Sequence, residues 1–288
     1  MTETTGGVGV FGLGRMGSAI ARRFAAEGHD VACWTRSNRA LDGIPSAPDL
    51  PSLVAQSDTL VLSLYDDAAV AEVLDQLLAC DLSGKQIIET STVVPDVVRS
   101  RITLITAKGA SAVDAPISGG PELVAAGKCG VFVGGDDAAA ARAIASLATL
   151  SDRVFHVGPL GAGLAMKTIN NSMLQIYFAG LDSLMPMAQR AGLPLETVLR
   201  ILCGGPAGIP MVADRIDKIL GKDPEVGFTL SAALKDVGVF ERVAQSYGIE
   251  VPILTSFAER TQEAIDDGLG EADPALMIAR AYERGAQS

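Results

Sequence analysis

The sequence has few of the residues that build metal centres and disulfide frameworks. Its 288 residues include only two histidines. The four cysteines are far apart and form no Cys-x-x-Cys pair, which argues against a zinc site and a redox dithiol. They are Cys33, Cys80, Cys129 and Cys203. Without a His-Glu-x-x-His motif or a His/Asp/Glu cluster, we expect no metal site and four reduced cysteines in the core.

Positive charge and long apolar runs are also scarce. Lys and Arg number 23 against 34 Asp and Glu, a formal net charge of −11 that would repel a nucleic-acid backbone. No stretch approaches the roughly 20 continuous apolar residues of a membrane span. Residues 1–7 lack the basic-then-apolar pattern of a signal peptide. We therefore expect a cytoplasmic protein that binds neither nucleic acid nor membranes.

The residues that are present follow the pattern of an α/β protein in the first half of the chain. Apolar residues make up 48% of the sequence and charged residues 20%, which is typical of a compact domain. Short apolar runs alternate with helical periodicity. Alternation of this kind predicts a mainly parallel sheet covered by helices on both faces. The predicted strands are 8–11, 30–34, 59–64, 86–89, 111–114 and 130–133, and the predicted helices are 18–27, 68–80 and 95–108.

The second half of the chain has helical periodicity only. A turn-forming cluster at 158–163 separates the two patterns. A helix predicted at about 164–191 would extend roughly 40 Å at about 1.5 Å per residue, enough to join two domains. We therefore predict a Rossmann-type domain with a doubly wound parallel sheet at 1–163, and an all-helical domain at 164–288. Further helices are predicted at 195–202, 211–220, 230–247, 252–268 and 274–285.

The segment after the first predicted strand has the pattern of a dinucleotide-binding loop. Gly12 permits a tight turn, Gly14 lets a pyrophosphate approach backbone N–H groups, and Gly17 allows a helix to pack closely on a strand. A tight turn without a ligand is the alternative, but the strand–loop–helix context favours a cofactor. The whole loop reads Gly12-Leu13-Gly14-Arg15-Met16-Gly17.

The end of the second predicted strand indicates which dinucleotide is bound. An NAD-binding unit usually has Asp or Glu there, to bind the adenosine ribose, and this sequence has neither. Arg36, Ser37 and Arg39 stand there instead, and their guanidinium and hydroxyl groups suit a 2′-phosphate. We predict NADP(H) in preference to NAD(H). The alternative is that both arginines are ordinary solvated loop residues.

Three later segments contain polar groups that core packing does not require. Residues 114–120 end a strand and offer the Ser118 hydroxyl with the N–H groups of Gly119 and Gly120. Consecutive flexible N–H donors form either a nest for a carboxylate or a plain turn. Both readings remain open from the residues alone.

Two lysines occur in otherwise apolar helices. Lys167 and Asn171 are four residues apart and so share one face of the long predicted helix. Burial lowers the pKa of an amine, and an amine that titrates near neutrality suits proton transfer. Lys235 lies in a second apolar helix, where exposure to solvent or pairing with a carboxylate is an equal alternative.

Taken together and in order, these segments resemble the β-hydroxyacid dehydrogenase family. That family includes 3-hydroxyisobutyrate, tartronate semialdehyde and 6-phosphogluconate dehydrogenases and the glyoxylate/succinic semialdehyde reductases. The likeness spans nearly the whole chain and rests on five ordered motifs. These are residues 10–17, 89–92 with Pro95, 114–120, 161–171 and 235–236.

The resemblance implies roles for particular residues. Lys167 would be the catalytic acid/base, Asn171 would orient the substrate, and Ser118, Gly119 and Gly120 would bind the carboxylate of a small substrate. Hydride would pass between the nicotinamide and the substrate carbon while Lys167 supplies a proton to the developing alkoxide. The family also implies a homodimer or homotetramer that shares the helical part. The residues implied to lie beside the cofactor are Leu64, Tyr65, Thr92 and Lys235.

The sequence departs from the family at the substrate end. Leu123 and Val124 replace a usual Gly-Ala pair, which predicts a more apolar or narrower pocket. Thr35 replaces the Asn that often precedes Arg-Ser in NADP-preferring members. The loop at 203–208 has no assigned role.

Two other functions compete with a hydroxyacid dehydrogenase. An imine reductase would have a similar fold, but those enzymes usually lack a lysine at the position of Lys167. A non-catalytic NADP(H)-binding protein would need neither Lys167, Asn171 nor Ser118. The presence of Lys167 argues against an imine reductase, and the presence of all three residues argues against a non-catalytic protein.

Overall fold

The computed structural model describes residues 6 to 287 and divides them into two compact units. The first unit extends to Thr168 and the second begins at Ile169. The division lies inside a single long helix, Ala162–Arg190. The domain boundary predicted at 163–164 lies near the beginning of that helix.

The first unit contains a curled sheet of eight strands among its described residues. Strands β2, β1, β3, β4 and β5 lie side by side and are all parallel. Strand β7 pairs antiparallel with the end of β5 and with β6, and parallel with β8. The strands are β1 (Val8–Phe11), β2 (Val31–Trp34), β3 (Thr59–Leu62), β4 (Gln86–Glu89), β5 (Ser111–Asp114), β6 (Ile117–Ser118), β7 (Gly130–Gly134) and β8 (Arg153–Gly158).

Both faces of the parallel strands are buried, as the apolar runs predict. Adjacent residues of one strand belong to two separate core clusters, so that Val10 packs in one and Phe11 in the other. Successive side chains of a strand point to opposite faces, and helices therefore cover both sides of the sheet. These helices are α1 (Arg15–Ala26), α2 (Leu50–Ala55), α3 (Asp67–Leu77), α4 (Asp96–Arg99), α5 (Ile102–Ala107), α6 (Pro121–Ala125) and α7 (Asp137–Leu147).

The predicted elements differ from the structure where local patterns are weak. The helix predicted at 95–108 is two short helices, α4 and α5. Strand β8 was missed because it lies at the sheet edge, where Arg153 and His156 interrupt the apolar pattern. Helix α7 was missed because most of it is alanine, although the Asp136 side chain caps it by accepting from Ala139 N–H.

The second unit is built from helices around its own apolar core. No residue of 169–287 belongs to a strand. The helix predicted at 211–220 is two short helices, and the one predicted at 252–268 ends at Ala264 and continues as a π-helical turn, Ile265–Leu269. The helices are α8 (Ala162–Arg190), which begins in the first unit, α9 (Leu195–Cys203), α10 (Pro210–Ala213), α11 (Ile216–Ile219), α12 (Leu230–Ser246), α13 (Pro252–Ala264) and α14 (Ala275–Arg284).

Candidate active site

The predicted cofactor residues follow strands whose carboxyl ends form one row. The last residues of β2, β1, β3, β4 and β5 are paired neighbours, namely Trp34, Phe11, Leu62, Glu89 and Asp114. The chain passes from β1 outward to β2 and then crosses to β3 on the other side of β1. Open α/β sheets bind ligands outside the carboxyl ends of their strands at such a switch point. The glycine loop lies there.

Two glycines of this loop are required by close packing. Gly12 has a φ of 95°, and a Cβ atom there would lie 2.3 Å from Ser63 O. A Cβ atom at Gly17 would lie 2.0 Å from Gly12 O. Any side chain at either position would push the loop away from β3 or α1 away from β1. The tight turn and close helix packing predicted for Gly12 and Gly17 are therefore present.

Gly14 stands where a ligand needs access to the backbone. It precedes α1 and provides no side-chain cap for it, and nothing lies within 4 Å of the place its Cβ would occupy. The first N–H groups of a helix face outward and attract anions. The loop therefore fits the pyrophosphate of a dinucleotide. Of the other loop residues, Leu13 is buried in the core, Met16 packs against it and Arg15 is exposed.

The arginines predicted to bind a 2′-phosphate lie on an exposed turn after β2. Asn38 N–H donates to Thr35 O (3.0 Å), and Arg39 N–H donates to Thr35 Oγ1 (2.8 Å). The Thr35 side chain thus organises the turn. Arg36 Nη1 lies 3.0 Å from Glu72 Oε2 on α3. The sequence pattern did not reveal Glu72, because it is 36 residues away in a different element.

The loops after β3 and β4 are joined by a buried serine. Leu64 N–H donates to Ser91 Oγ (2.9 Å), and Ser91 N–H donates to Glu89 Oε1 (2.7 Å). Tyr65 is exposed, and Thr92 is half-buried immediately after Ser91. Leu64, Tyr65 and Thr92, three of the residues predicted to lie beside the cofactor, are therefore close together at the carboxyl ends of β3 and β4.

A buried carboxylate holds the beginning of α8 against the end of β5. Asp114 Oδ1 accepts from Gly161 N–H (2.5 Å) and Asp114 Oδ2 accepts from Leu164 N–H (2.7 Å). Burial raises the pKa of Asp114 to about 6, although these two backbone hydrogen bonds oppose the shift. Gly163 is also required here, because a Cβ atom there would lie 2.2 Å from Phe132 O. The start of α8 is thus fixed one turn before Lys167.

Lys167 is buried at the segment predicted to bind the substrate. Its side chain is 6% exposed, and its Nζ donates to Ile117 O at 2.5 Å. Ser118, Gly119 and Gly120 follow directly in the chain, and Gly119 has a φ of 118°. The structure therefore brings Lys167 to this segment although 50 residues separate Lys167 from Ile117.

The other two predicted site residues belong to the second unit. Asn171 is half-buried, and its Oδ1 accepts from Asn170 Nδ2 at 3.0 Å. Lys235 Nζ lies 3.2 Å from Asp236 Oδ1, so it pairs with a neighbouring carboxylate. The roles of both residues remain predictions.

Helix α8 also has a buried polar face that sequence reasoning missed. Thr168, Ser172 and Gln175 are buried, and Thr168 Oγ1, Ser172 Oγ and Gln175 Oε1 find no hydrogen-bond partner within the described chain. Their spacing of four and three residues places them along one side of the helix. This spacing of polar residues, next to Lys167 and Asn171, is the sequence pattern from which the buried polar face could have been predicted.

Only one of the two residues that depart from the family lies at the segment predicted to bind the substrate. A Cβ atom at Gly119 would lie 2.8 Å from Leu123 Cδ1, so Leu123 covers this glycine. Val124 instead lies wholly in the core of the first unit. The predicted narrowing of the pocket therefore concerns Leu123, whose position in α6 turns it away from the core that Val124 joins.

The cysteines form no bonds with one another. Cys33 and Cys129 are buried as predicted, but Cys80 and Cys203 are partly exposed, because both lie near helix ends. Within residues 6–287, no group of three His, Cys, Asp or Glu side chains is arranged to hold a metal ion. In the same range, no helix is both long and apolar enough to cross a membrane.

Comparison with known proteins agrees with this geometry. Residues 7–158 match the family model described as the NAD binding domain of 6-phosphogluconate dehydrogenase. Residues 161–281 match the model described as NAD-binding of NADP-dependent 3-hydroxyisobutyrate dehydrogenase. The chain is a member of the β-hydroxyacid dehydrogenase family. It is therefore an NAD(P)-binding oxidoreductase of the kind that acts on CH–OH groups.

Individual known proteins resemble the chain over nearly its full length. The mitochondrial 3-hydroxyisobutyrate dehydrogenase of Drosophila melanogaster is 30% identical, over 94% of this chain and 89% of that protein. A Mycobacterium tuberculosis 3-hydroxyisobutyrate dehydrogenase structure with L-serine has a TM-score of 0.86 at 23% identity, covering 96% and 99%. A reductive aminase from Aspergillus terreus with NADPH has a TM-score of 0.62 at 24% identity, covering 96% and 99%. The two structures show likeness of fold.

Proposed function

We propose that this β-hydroxyacid dehydrogenase interconverts a small β-hydroxyacid and its semialdehyde or oxoacid, with Lys167 as the general acid/base. The observation that carries the proposal is the buried Lys167 beside the Ser118–Gly120 segment. A nicotinamide cofactor would supply or accept the hydride when bound. Besides that cofactor, oxidation of a hydroxyacid needs a group that transfers the proton and a site that binds the carboxylate. Lys167 and the Ser118–Gly120 segment would supply them.

The residues of the chain would divide the remaining tasks. The Ser118 hydroxyl and the N–H groups of Gly119 and Gly120 bind the substrate carboxylate and orient its carbon chain. Lys167 Nζ, held at Ile117 O, gives a proton to the carbonyl oxygen as it becomes an alkoxide, or removes it from the hydroxyl in the reverse direction. Asn171, one helical turn later, orients the substrate.

We further propose a preference for NADP(H) over NAD(H). The exposed turn after β2 presents Arg36, Ser37 and Arg39, and no acidic side chain of that turn occupies the place where a ribose hydroxyl would bind. Arg36 already pairs with Glu72. Binding of a 2′-phosphate would exchange this exposed ion pair, which contributes little, for a charge-assisted contact with a dianion.

A homo-oligomer formed through the helical unit is part of the same proposal. Helix α8 exposes apolar side chains on a different side from its buried polar face, at Ile169, Met173, Leu184 and Met187. Their spacing of 4, 11 and 3 residues follows one stripe of the helix. Apolar stripes of this length on a helix usually pack against another chain. A second copy of this chain is the partner that we propose, because in a two-fold dimer the same apolar patch of each copy can bury the other.

The proposed function is tested with a panel of semialdehydes, glyoxylate, β-hydroxyacids and cyclic imines. Each compound is assayed with NADP(H) and with NAD(H), and the absorbance of the reduced nicotinamide is followed. We expect turnover of β-hydroxyacids or their semialdehydes. Turnover of imines alone would replace the proposal with an imine reductase. Cofactor binding without any turnover would favour the non-catalytic alternative.

A further inference from the structure

The short helix α6 places a carboxylate beside the segment that we assign to the substrate. A Cβ atom at Gly120 would lie 2.4 Å from both Glu122 Oε1 and Glu122 Oε2. The Glu122 side chain therefore lies directly against the α-carbon of Gly120. Within residues 6–287, no lysine or arginine forms an ion pair with Glu122. Among the described residues, no ion pair therefore neutralises the negative charge beside this segment.

We propose that Glu122 is a specificity-determining residue that selects the substrate by charge. It favours a β-hydroxyacid with an ammonium group on the carbon next to the carboxylate, and it disfavours one with a second carboxylate at that carbon. The inference rests on the proposed function, in which Ser118, Gly119 and Gly120 bind the substrate carboxylate.

The geometry leads to this selection because substituents at that carbon are close to the bound carboxylate. Both groups are bonded to the same carbon, so a substrate anchored on Gly119 and Gly120 brings its substituent near Glu122. Lys167, whose Nζ donates to Ile117 O at the other end of the segment, acts in the proposed function on the hydroxyl group of the substrate. Glu122 is therefore the charged side chain that the substituent meets.

The size of the effect follows from the exposure of Glu122. Its side chain is accessible to water, so its interaction with a charge about 4 to 6 Å away is largely screened. A unit charge then changes binding by roughly fivefold. Exchanging an ammonium group for a carboxylate changes it by roughly 25-fold, because one interaction is favourable and the other unfavourable.

Leu123 contributes the apolar part of the same surface. The Leu123 side chain covers Gly119. The glycine that family members usually have at position 123 would leave the backbone of Gly119 accessible. A large hydrated substituent is therefore excluded on that side, and only the Glu122 side remains polar. An ammonium group is small enough to occupy it.

A series of acids that differ only in the substituent tests the proposal. The probes are 3-hydroxyisobutyrate (methyl), L-serine (ammonium) and hydroxymethylmalonate (carboxylate), with kcat/KM measured at neutral pH. We expect Glu122→Gln to lower the ratio of L-serine to hydroxymethylmalonate by about 25-fold. The value for 3-hydroxyisobutyrate should lie between those of the other two acids and rise by at most about fivefold, because the anchored carboxylate that all three acids share also loses its repulsion from Glu122. Glu122→Lys should move the ratio further in the same direction. Asp137→Asn, which removes a fully exposed carboxylate at the start of α7, is the matched control and should leave the ratio unchanged.

Other outcomes separate this inference from the function on which it rests. If Glu122→Gln changes all three acids by one common factor, the carboxylate serves the N-terminus of α6 and the proposal is wrong. No change with any acid overturns it equally. Calorimetric binding of the same acids to the NADP⁺ complex gives the charge comparison without turnover. Charge-dependent binding without turnover would contradict the proposed function while supporting the role of Glu122.

Discussion

Lys167 combines two features at the scale of a single residue: deep burial and a hydrogen bond to the backbone oxygen of Ile117, next to the proposed substrate segment. A lysine is almost never fully buried unless a partner or a function requires it. We expect Lys167→Ala to lower kcat by about 100-fold or more, because a general acid is lost. The dissociation constant of NADPH, measured by nicotinamide fluorescence, should change little.

The control for this prediction is an exposed lysine of the same unit. Lys128→Ala should leave kcat within about twofold. If Lys167→Ala retains its kcat while its circular dichroism is unchanged, Lys167 is not the proton donor. A large loss of NADPH affinity would instead place Lys167 at the cofactor.

The proposed cofactor preference is tested at Arg36, again at the scale of a single residue. We expect Arg36→Gln to lower kcat/KM for NADP⁺ by about 10- to 100-fold, since a charge-assisted contact with the 2′-phosphate is lost. The value for NAD⁺ should stay within about threefold. Initial rates with both cofactors measure the ratio, and Arg153→Gln on the exposed edge strand β8 is the matched charge control. Equal losses with both cofactors would contradict a 2′-phosphate contact.

At the scale of elements, the junction of β5 and α8 depends on Asp114. The ionised carboxylate accepts two backbone N–H groups of the α8 start, and protonation removes acceptor capacity from them. Since the pKa of Asp114 is raised to about 6, we expect kcat to fall as the pH drops through about 6. The Asp114→Asn variant should have a lower kcat throughout and lack this acidic limb, as a pH–rate profile would reveal.

The same carboxyl links stability to pH with a defined sign. Its folded pKa of about 6 lies above the ordinary value of 3.8, so the folded state binds the proton more tightly than the unfolded chain. Its contribution to the free energy of unfolding is therefore greatest at low pH and is lost as the pH rises through about 6. From about pH 5 to pH 7.5, wild type should lose about 1 kcal/mol relative to Asp114→Asn in thermal denaturation. A constant difference over this range would contradict a raised pKa.

At the scale of the whole molecule, the exposed stripe of α8 predicts association. Leu184 and Met187 are 54% and 66% exposed, and each would lose apolar surface to water in a dimer. We expect wild type to have at least twice the chain mass of 29.7 kDa in light scattering. Combining Leu184→Glu with Met187→Glu should give the monomer mass, because carboxylates would be buried without partners.

An exposed leucine of the first unit supplies the control for association. Leu104 on α5 is 57% exposed, and Leu104→Glu should leave the mass unchanged. If the α8 double variant keeps the wild-type mass, another surface holds the subunits together. A monomeric wild type would exclude the oligomer altogether.

Local patterns in the sequence were sufficient for the main elements and for the cofactor loop. Apolar runs and helical periodicity located β1 to β5 and the long helix within a few residues, because both depend on neighbouring side chains. The places of Gly12, Gly14 and Gly17 were also predictable, since a strand–loop–helix connection constrains its backbone locally. Edge strand β8 and the alanine-rich α7 were missed because their patterns are weak.

Only the tertiary structure decided which distant residues act together. Asp114 and Leu164 are 50 residues apart, as are Lys167 and Ile117, and nothing in local spacing pairs them. The same holds for Arg36 with Glu72. Even for Glu122, only two residues from Gly120, the sequence does not show that the side chain lies against Gly120; the direction in which α6 turns that side chain decides it. The sequence by itself determined a dinucleotide fold with a lysine in an apolar helix, because those features are local. The packing of β6 against the start of α8 determined that this lysine lies at a candidate substrate site.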